Sequence, residues 1–513
     1  MNKMEVKKES LRISDVLGTN KGRTTAEADI IVPDTKPDAV KVAESYATCV
    51  ITDCEVQSER VLVYGSVDFN VVYLSEDNEA KGVAAKSTFT DVIDVPGAAP
   101  GMRCDVQCAA DRVEYRLLNG RKITVKAAID LNASVMKESE IEAVSDLEGD
   151  EIEKQFKTVR YMKNCGTFRK LLSINEKVEI AREQPAVQEI LRMDGKISNK
   201  SVKVINNKVI VKADADVVIL YVDDAEFKPC SVSLSVPFTE ILDIDGVTED
   251  WFLTNNIEVC GFKHSLEADE DGKARLVDLE ITAEWRADAF EPCTKTLLSD
   301  CYGITHKTKT VCAIADLQEN AGEIYVQTGV KGRLDLSGAP AVEKVYDVVS
   351  TARVDSISKS ESSVTVKGTA DVYFMYITAD DTQPVYSIKQ EIPFEETVAS
   401  SAGNGAEAYV NASVTGMSYT LNGDSTADIR GNIELKGLLL QKKEEKVITE
   451  AELTEEKNAL KAASLTVCFA QENDTLWDVA KRYSTSVAAI MEVNGLTEST
   501  RIAGKRLIVP KYR

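Results

Sequence analysis

"PDAVKVAESYATCVITDCEVQSERVLVYGSVDFNVVYL" runs from Pro37 to Leu74. Its second half is rich in Val, Tyr and Phe, residues that suit a pleated, half-buried surface. Two stretches downstream repeat it. They are "PAVQEILRMDGKISNKSVKVINNKVIVKADADVVILYV" from Pro185 and "PAVEKVYDVVSTARVDSISKSESSVTVKGTADVYFMYI" from Pro340. In each, a strand-like run starts 24 residues after the proline (Val61, Val209, Val364), and a tyrosine follows 12 later (Tyr73, Tyr221, Tyr376). A phenylalanine comes next (Phe89, Phe238, Phe394), then Asn119-Gly120, Asp271-Gly272 or Asn422-Gly423. Such dipeptides predict tight hairpins with positive φ at both turn residues. The chain therefore carries three copies of one domain, offset by 148 and then 155 residues.

The segment before the first copy, "IIVPDTKPD", holds Asp34, Lys36 and Asp38. Two carboxylates around an ammonium could form a catalytic cluster, but Asp38 becomes Ala186 and Ala341 in the other copies. The recurring features are the proline and apolar positions read as Val40, Val187 and Val342, which predict a structural turn leading into a packed segment. The charges are expected to give copy one a contact surface that the others lack.

Alternation marks the strands. "RKITVKAAIDLNASV" places Ile123, Val125, Ala127, Ile129 and Leu131 on one face, and "VDLEITAEW" does the same with Val277, Leu279, Ile281, Ala283 and Trp285. "ADIRGNIELKGLLL" repeats it with Ile429, Ile433 and Leu435. The predicted fold is mainly β, with three tandem homologous domains, each a sandwich or a barrel. "KESEIEAVSDLEGDEIEKQFKTVRYMK" (137–163) has helical spacing and heavy charge, so it is read as an exposed linker helix. The expected organisation is an N-terminal segment (1–27), repeat one (28–136), a partly helical linker (137–176) and repeat two (177–292). A connecting segment (293–331), repeat three (332–441), a charged and possibly helical linker (442–463) and a final module (464–513) follow.

Composition narrows the function. Of 513 residues, 61 are basic and 84 acidic, a net charge of −23 that repels phosphate backbones and anionic membranes. Nucleic acid is not an expected partner. No run of 18 apolar residues predicts a membrane span, and "MNKMEVKKESLRISDVLG" lacks the apolar core of a secretory signal, so the expected compartment is the cytoplasm. The eleven cysteines include no CxxC, and Cys104 and Cys108 share one face of a strand. They are read as buried, reduced thiols. There are only two histidines, His264 and His306, and no P-loop, HExxH or GxSxG. No catalytic residue, metal or cofactor is expected.

The last 49 residues read strand, helix, helix, strand. Leu465, Val467 and Phe469 alternate, Asp474 precedes a helix as its N-cap, and Leu476, Val479, Ala480 and Tyr483 form a stripe. A second helix carries Val487, Ile490, Met491 and Val493, and Asn494-Gly495 ends it. Leu507, Ile508 and Val509 form the closing strand. "NDTLWDVAKRYSTSVAAIMEVNGL" and "GKRLIVP" resemble a LysM domain, which implies a βααβ fold and a groove for N-acetylglucosamine glycans between the loop after strand one and the loop before strand two. Asn473 stands where such loops usually have Gly. The residues expected to contact a partner or a glycan are Leu465, Asn473, Asp474, Thr475, Trp477, Asn494, Gly495, Leu496 and Ile502. Trp477 lies at the edge of the helix stripe. It is read either as an aromatic anchor for a partner or as a cap on the core rim, stacked under Lys481.

"DIIVPDTKPD", the three β repeats and the terminal LysM together resemble the SipL-like family of spore-coat morphogenesis proteins, which carry SPOCS domains followed by LysM. The resemblance implies a non-catalytic scaffold in the mother-cell cytoplasm at the forespore surface. Its implied partners are the SpoIVA-like ATPase of the coat basement layer and other coat proteins. Peptidoglycan binding is the alternative.

Overall fold

The computed structural model describes the chain apart from residues 1–4, 150, 381, 401–405, 424, 459–464, 498–499 and 511–513, and apart from the side chains of residues 112 and 465. Repeat one consists of β1 (Glu5–Ile31), β2 (Lys41–Gln57), β3 (Arg60–Leu74), β4 (Ala80–Asp94), β5 (Arg103–Asn119) and β6 (Lys122–Glu148). These form two antiparallel sheets, β1-β6-β5 and β2-β3-β4, whose inner faces share one core. Ile123, Val125 and Ile129 come from one sheet, and Val61, Val63, Phe69 and Tyr73 from the other. This is a sandwich, since the two sheets share no ladder.

Repeat two follows the same order with β7 (Ile152–Glu179), β8 (Val187–Ile205), β9 (Lys208–Asp223), β10 (Pro229–Asp243), a short β11 (Phe252–Leu253), β12 (Asn256–Ala268) and β13 (Ala274–Gly303). Repeat three has β14 (His306–Asp335), β15 (Val342–Lys359), β16 (Ser363–Thr378), β17 (Val385–Ala399), β18 (Ala406–Asn422) and β19 (Thr426–Lys457).

The recurring residues have one task each. The Tyr73, Tyr221 and Tyr376 hydroxyls donate to the carbonyls of Pro37, Pro185 and Pro340 at 2.8, 3.1 and 3.0 Å. Each hydroxyl thus locks the entry turn onto the central strand of its sheet. Burial pushes each phenol up to about 12, so all three stay protonated donors. Phe89 and Phe394 lie flat on Gly65 and Gly368, where a Cβ would sit 2.1 and 2.2 Å from the ring. Repeat two has Ala213 there, and Phe238 is correspondingly less buried.

Three sequence readings need correction. Val40 is 54% exposed, and its neighbour Ala39 takes the buried place. Of the turn dipeptides, only Gly272 and Gly423 adopt positive φ (+77° and +64°), and the Asn or Asp before each glycine does not. Gly120 is set instead by space, because a Cβ there would meet the Asp38 carboxylate at 2.8 Å. The third correction is larger. Residues 137–148, 152–176, 293–303, 306–331 and 442–457 are strands rather than helices or irregular linkers, and the N-terminal segment is most of β1 from Glu5. Beyond each sandwich, the pairs β1/β6, β7/β13 and β14/β19 run on as two-stranded ribbons. Their outward charges pair across strands, as in Arg12–Glu140 and Lys8–Glu142. Their inward residues alternate.

These ribbons bind the repeats into one body. Leu11 and Ile13 meet Val159 and Tyr161 of the second ribbon and Ala315 and Leu317 of the third in one buried cluster. Val144, Leu298 and Ile448 meet in the next, with Leu147, Cys301 and Ala451. Equivalent positions of the central strands also converge, Val72 with Leu220 and Met375, and Leu74 with Val222 and Ile377. The repeats therefore sit around a pseudo-threefold axis. Their open edges, β2/β5, β8/β12 and β15/β18, line a cavity of about 2020 Å3 between them.

The axis also gathers charge. The step relating the copies carries Glu44 to Arg192 and Asp347. Buried Arg192 donates to Glu44 at 2.6 Å and to Asp194 at 2.7 and 2.8 Å, and stacks 4.0 Å over the Tyr46 ring. Lys36, whose place in the entry turn is taken by Gln184 and Ala339 in the other copies, reaches Glu189 of repeat two at 2.5 Å. The expected extra contact surface of copy one is turned inward, onto its neighbour.

Candidate binding module and its docking on the second repeat

The C-terminal module is β20 (Leu465–Phe469), α1 (Leu476–Tyr483), α2 (Val487–Asn494) and β21 (Arg506–Pro510), with β20 and β21 paired. Cys468, Ala470, Leu476, Val479, Ala480, Ile490, Ile502, Leu507 and Val509 make its core. The N-cap of α1 is Thr475, one residue later than expected. Its hydroxyl accepts from Asp478 N at 3.2 Å, and the Asp478 carboxylate accepts from Thr475 N at 2.9 Å. Both exchanges satisfy amides that an uncapped helix leaves unpaired. Asp474 instead accepts from Gln471 N at 2.9 Å and pairs with Arg482 at 2.6 Å.

Most of the expected contact residues hold the module together. Asn494 donates to the Ile490 and Ile508 carbonyls at 2.8 and 2.6 Å and accepts from Ile508 N at 2.8 Å, which ties α2 to β21. Gly495 ends α2 with φ +62°, Leu496 packs on the core and Ile502 lies inside it. Asn473 is exposed in the loop after β20 and does not use the left-handed region. Leu465 opens β20 opposite Pro510.

Trp477 is engaged from outside the module. Its indole N–H donates to Asp300 at 2.8 Å, and its ring stands edge-on to Tyr302 at 4.9 Å between centroids. Lys481 does not stack on it, because its ammonium goes to Asp300 at 2.6 and 2.7 Å. The Tyr302 hydroxyl donates to the Thr485 carbonyl at 2.8 Å, and the tyrosine is part of the module's core cluster. Asp300 and Tyr302 end β13, so the module sits at the tip of the second ribbon. Nothing in the sequence signals this contact, because 293–331 reads as connecting chain.

A second feature runs against the alternation in β20. Cys468 and Ala470 point inward, while Val467 and Phe469 point out, 56% and 70% exposed. Phe469 pairs with Arg506 across the ladder and Val467 with Ile508. Exposed Lys505 and Arg501 lie nearby in sequence. The outer face of β20 is thus an apolar strip with cations beside it. Among the described residues no helix is long and apolar enough to cross a membrane, and no group of His, Cys, Asp and Glu could hold a metal ion.

Comparison with known families fits this division. The family model described as SipL, SPOCS domain matches residues 38–118, 186–266 and 341–422, each match running from the entry turn into the fifth main strand of a sandwich. The LysM domain model matches residues 470–510. No curated protein and no solved structure matches the chain. Three matches at the same place in three sandwiches of one strand order, with the LysM after them, leave one reading: the chain has the SipL-like architecture of three SPOCS domains followed by a C-terminal LysM domain.

Proposed function

We propose that this chain is a non-catalytic scaffold of spore coat assembly, acting in the mother-cell cytoplasm at the forespore surface. The three SPOCS domains form the body. The LysM binds protein, the SpoIVA-like ATPase of the coat basement layer, and so tethers the coat. The observation that carries the reading is the outward pair Val467 and Phe469 beside Arg506. Large exposed apolar side chains at one edge mark an interaction site. Charge supports a protein partner too. The segment 465–513 holds seven basic and five acidic residues in a chain of net charge −23, so it can be steered to an acidic surface. The groove beside Asn473, Asp474, Thr475 and Leu496 is the place for a glycan in the alternative reading, in which the LysM binds peptidoglycan.

Pull-down of the full chain on the purified coat ATPase and on purified peptidoglycan separates the two. Phe469→Ala, exposed and so without cost to the core, is expected to weaken ATPase binding at least tenfold, the scale of an aromatic hot spot. Retention on peptidoglycan without retention on the ATPase would show that the scaffold reading has the wrong partner, and ATPase binding unchanged by Phe469→Ala would show that the interface is not this strip.

A further inference from the structure

Cys54 lies on β2 and Cys104 on β5, and their sulfurs are 2.8 Å apart. β2 and β5 are the edge strands of the two sheets of repeat one, and no ladder joins them. A disulfide needs its sulfurs at about 2.05 Å, so closing the bond asks for a shift of under about 1 Å. A second pair of thiols, Cys49 of β2 and Cys108 of β5, faces across the same strand pair. The offset of 148 and then 155 puts Ile197 and Ala352 at the place of Cys49, and Val202 and Ile357 at that of Cys54. Repeats two and three therefore cannot form either pair. Cys54 and Cys104 also line a cavity of about 290 Å3 with Met102, Arg103 and Gly166, through which a small oxidant can reach them.

We propose that Cys54 and Cys104 are a redox-active dithiol that closes to a disulfide and clips the two sheets of the first SPOCS domain together. The oxidant class is a peroxide. The Cys54 thiolate attacks one peroxide oxygen and the O–O bond breaks. The sulfur loses two electrons and becomes a sulfenic acid, and the released hydroxide takes up the Cys54 proton as water. The Cys104 sulfur then attacks the sulfenic sulfur. An S–S bond forms, the S–O bond breaks, and the second water leaves with the Cys104 proton. Two thiols and one hydrogen peroxide thus give one disulfide and two waters. The hydrogen bond from Cys104, with Arg169 in support, draws the Cys54 thiol below its usual range, which suits it to attack first. The disulfide fixes β5 beside Asp105, whose carboxylate holds Arg169 and Arg286 of repeat two. The clip therefore acts at a joint between repeats.

The test uses the full chain, reduced, freed of reductant and exposed to dilute hydrogen peroxide, then alkylated and mapped by mass spectrometry. The expected result is a Cys54–Cys104 linked peptide that dithiothreitol abolishes. Cys104→Ser should leave Cys54 as a sulfenic acid that dimedone traps, with circular dichroism confirming the fold. Cys54 recovered as a sulfinic acid in the native chain, linked to another cysteine, or still free after the other accessible thiols have reacted would each overturn the proposal.

Discussion

The charge cluster on the pseudo-threefold axis gives the sharpest test that the repeats form one body. Arg192 is 8% exposed and Glu44, from the neighbouring repeat, 7%, so the pair lies out of reach of solvent screening. Arg192→Met keeps most of the side-chain volume and removes the charge. Glu44 then loses its only guanidinium, and its second oxygen already lacks a partner. Asp194 loses two bonds as well. Stranding a buried charge in this way costs about 3–5 kcal/mol. Urea denaturation at pH 7, followed by far-UV circular dichroism and by tryptophan fluorescence, measures the loss. The midpoint should fall by that amount divided by the slope, and the repeats should still unfold together. Adding Glu44→Gln to Arg192→Met should restore at least about 1 kcal/mol, since one of the two stranded carboxylates is then neutral and only Asp194 is left unpaired. A loss under about 1 kcal/mol for Arg192→Met would mean that the axis cluster does not hold the repeats. A split into separate transitions in the native chain would mean that the ribbons do not join them.

Asp347 occupies the third position of that cluster, and Arg192 is already taken by Glu44 and Asp194. Burial, then the charge of Asp194, raises the Asp347 carboxyl to about 6, opposed by the hydrogen bond it accepts from Val348 N at 2.8 Å and then by Lys196 and Arg192. A carboxyl raised on folding contributes stability that is full below about pH 4 and lost as pH rises through 6. Asp347→Asn should therefore be more stable than the native chain by about 1–3 kcal/mol above pH 7, with the difference vanishing below pH 4 in urea midpoints taken across that range. At the other end of the molecule, a zero-length carbodiimide should cross-link Lys481 to Asp300. Tyr302→Ala, which removes an aromatic pair and a buried hydrogen bond worth about 1 kcal/mol or more each, should cut that yield at least fivefold. An unchanged yield would mean that Tyr302 does not dock the LysM.

The repeat and its internal logic are legible in the chain alone. A proline and a tyrosine 36 residues apart, three times over, are a local constraint, and one hydrogen bond per copy explains each spacing. The LysM helices were legible for the same reason, since stripe and caps lie within a few residues of one another. The rest depends on contacts between distant segments. The segment around Ile141, Ala143 and Leu147 satisfies helical and strand periods alike when its other residues are charged. Its choice of strand comes from β1, more than a hundred residues earlier, and from two other ribbons that supply the remaining core. Trp477 could be placed on a helix edge from sequence, but what lies against it is Tyr302 on a strand read as linker. Val467 and Phe469 alternate as a core strand would, yet point outward, because the small residues Cys468 and Ala470 fill the space beneath two short helices. Periodicity fixes which residues share a face. Which face is buried depends on what else the chain brings to it.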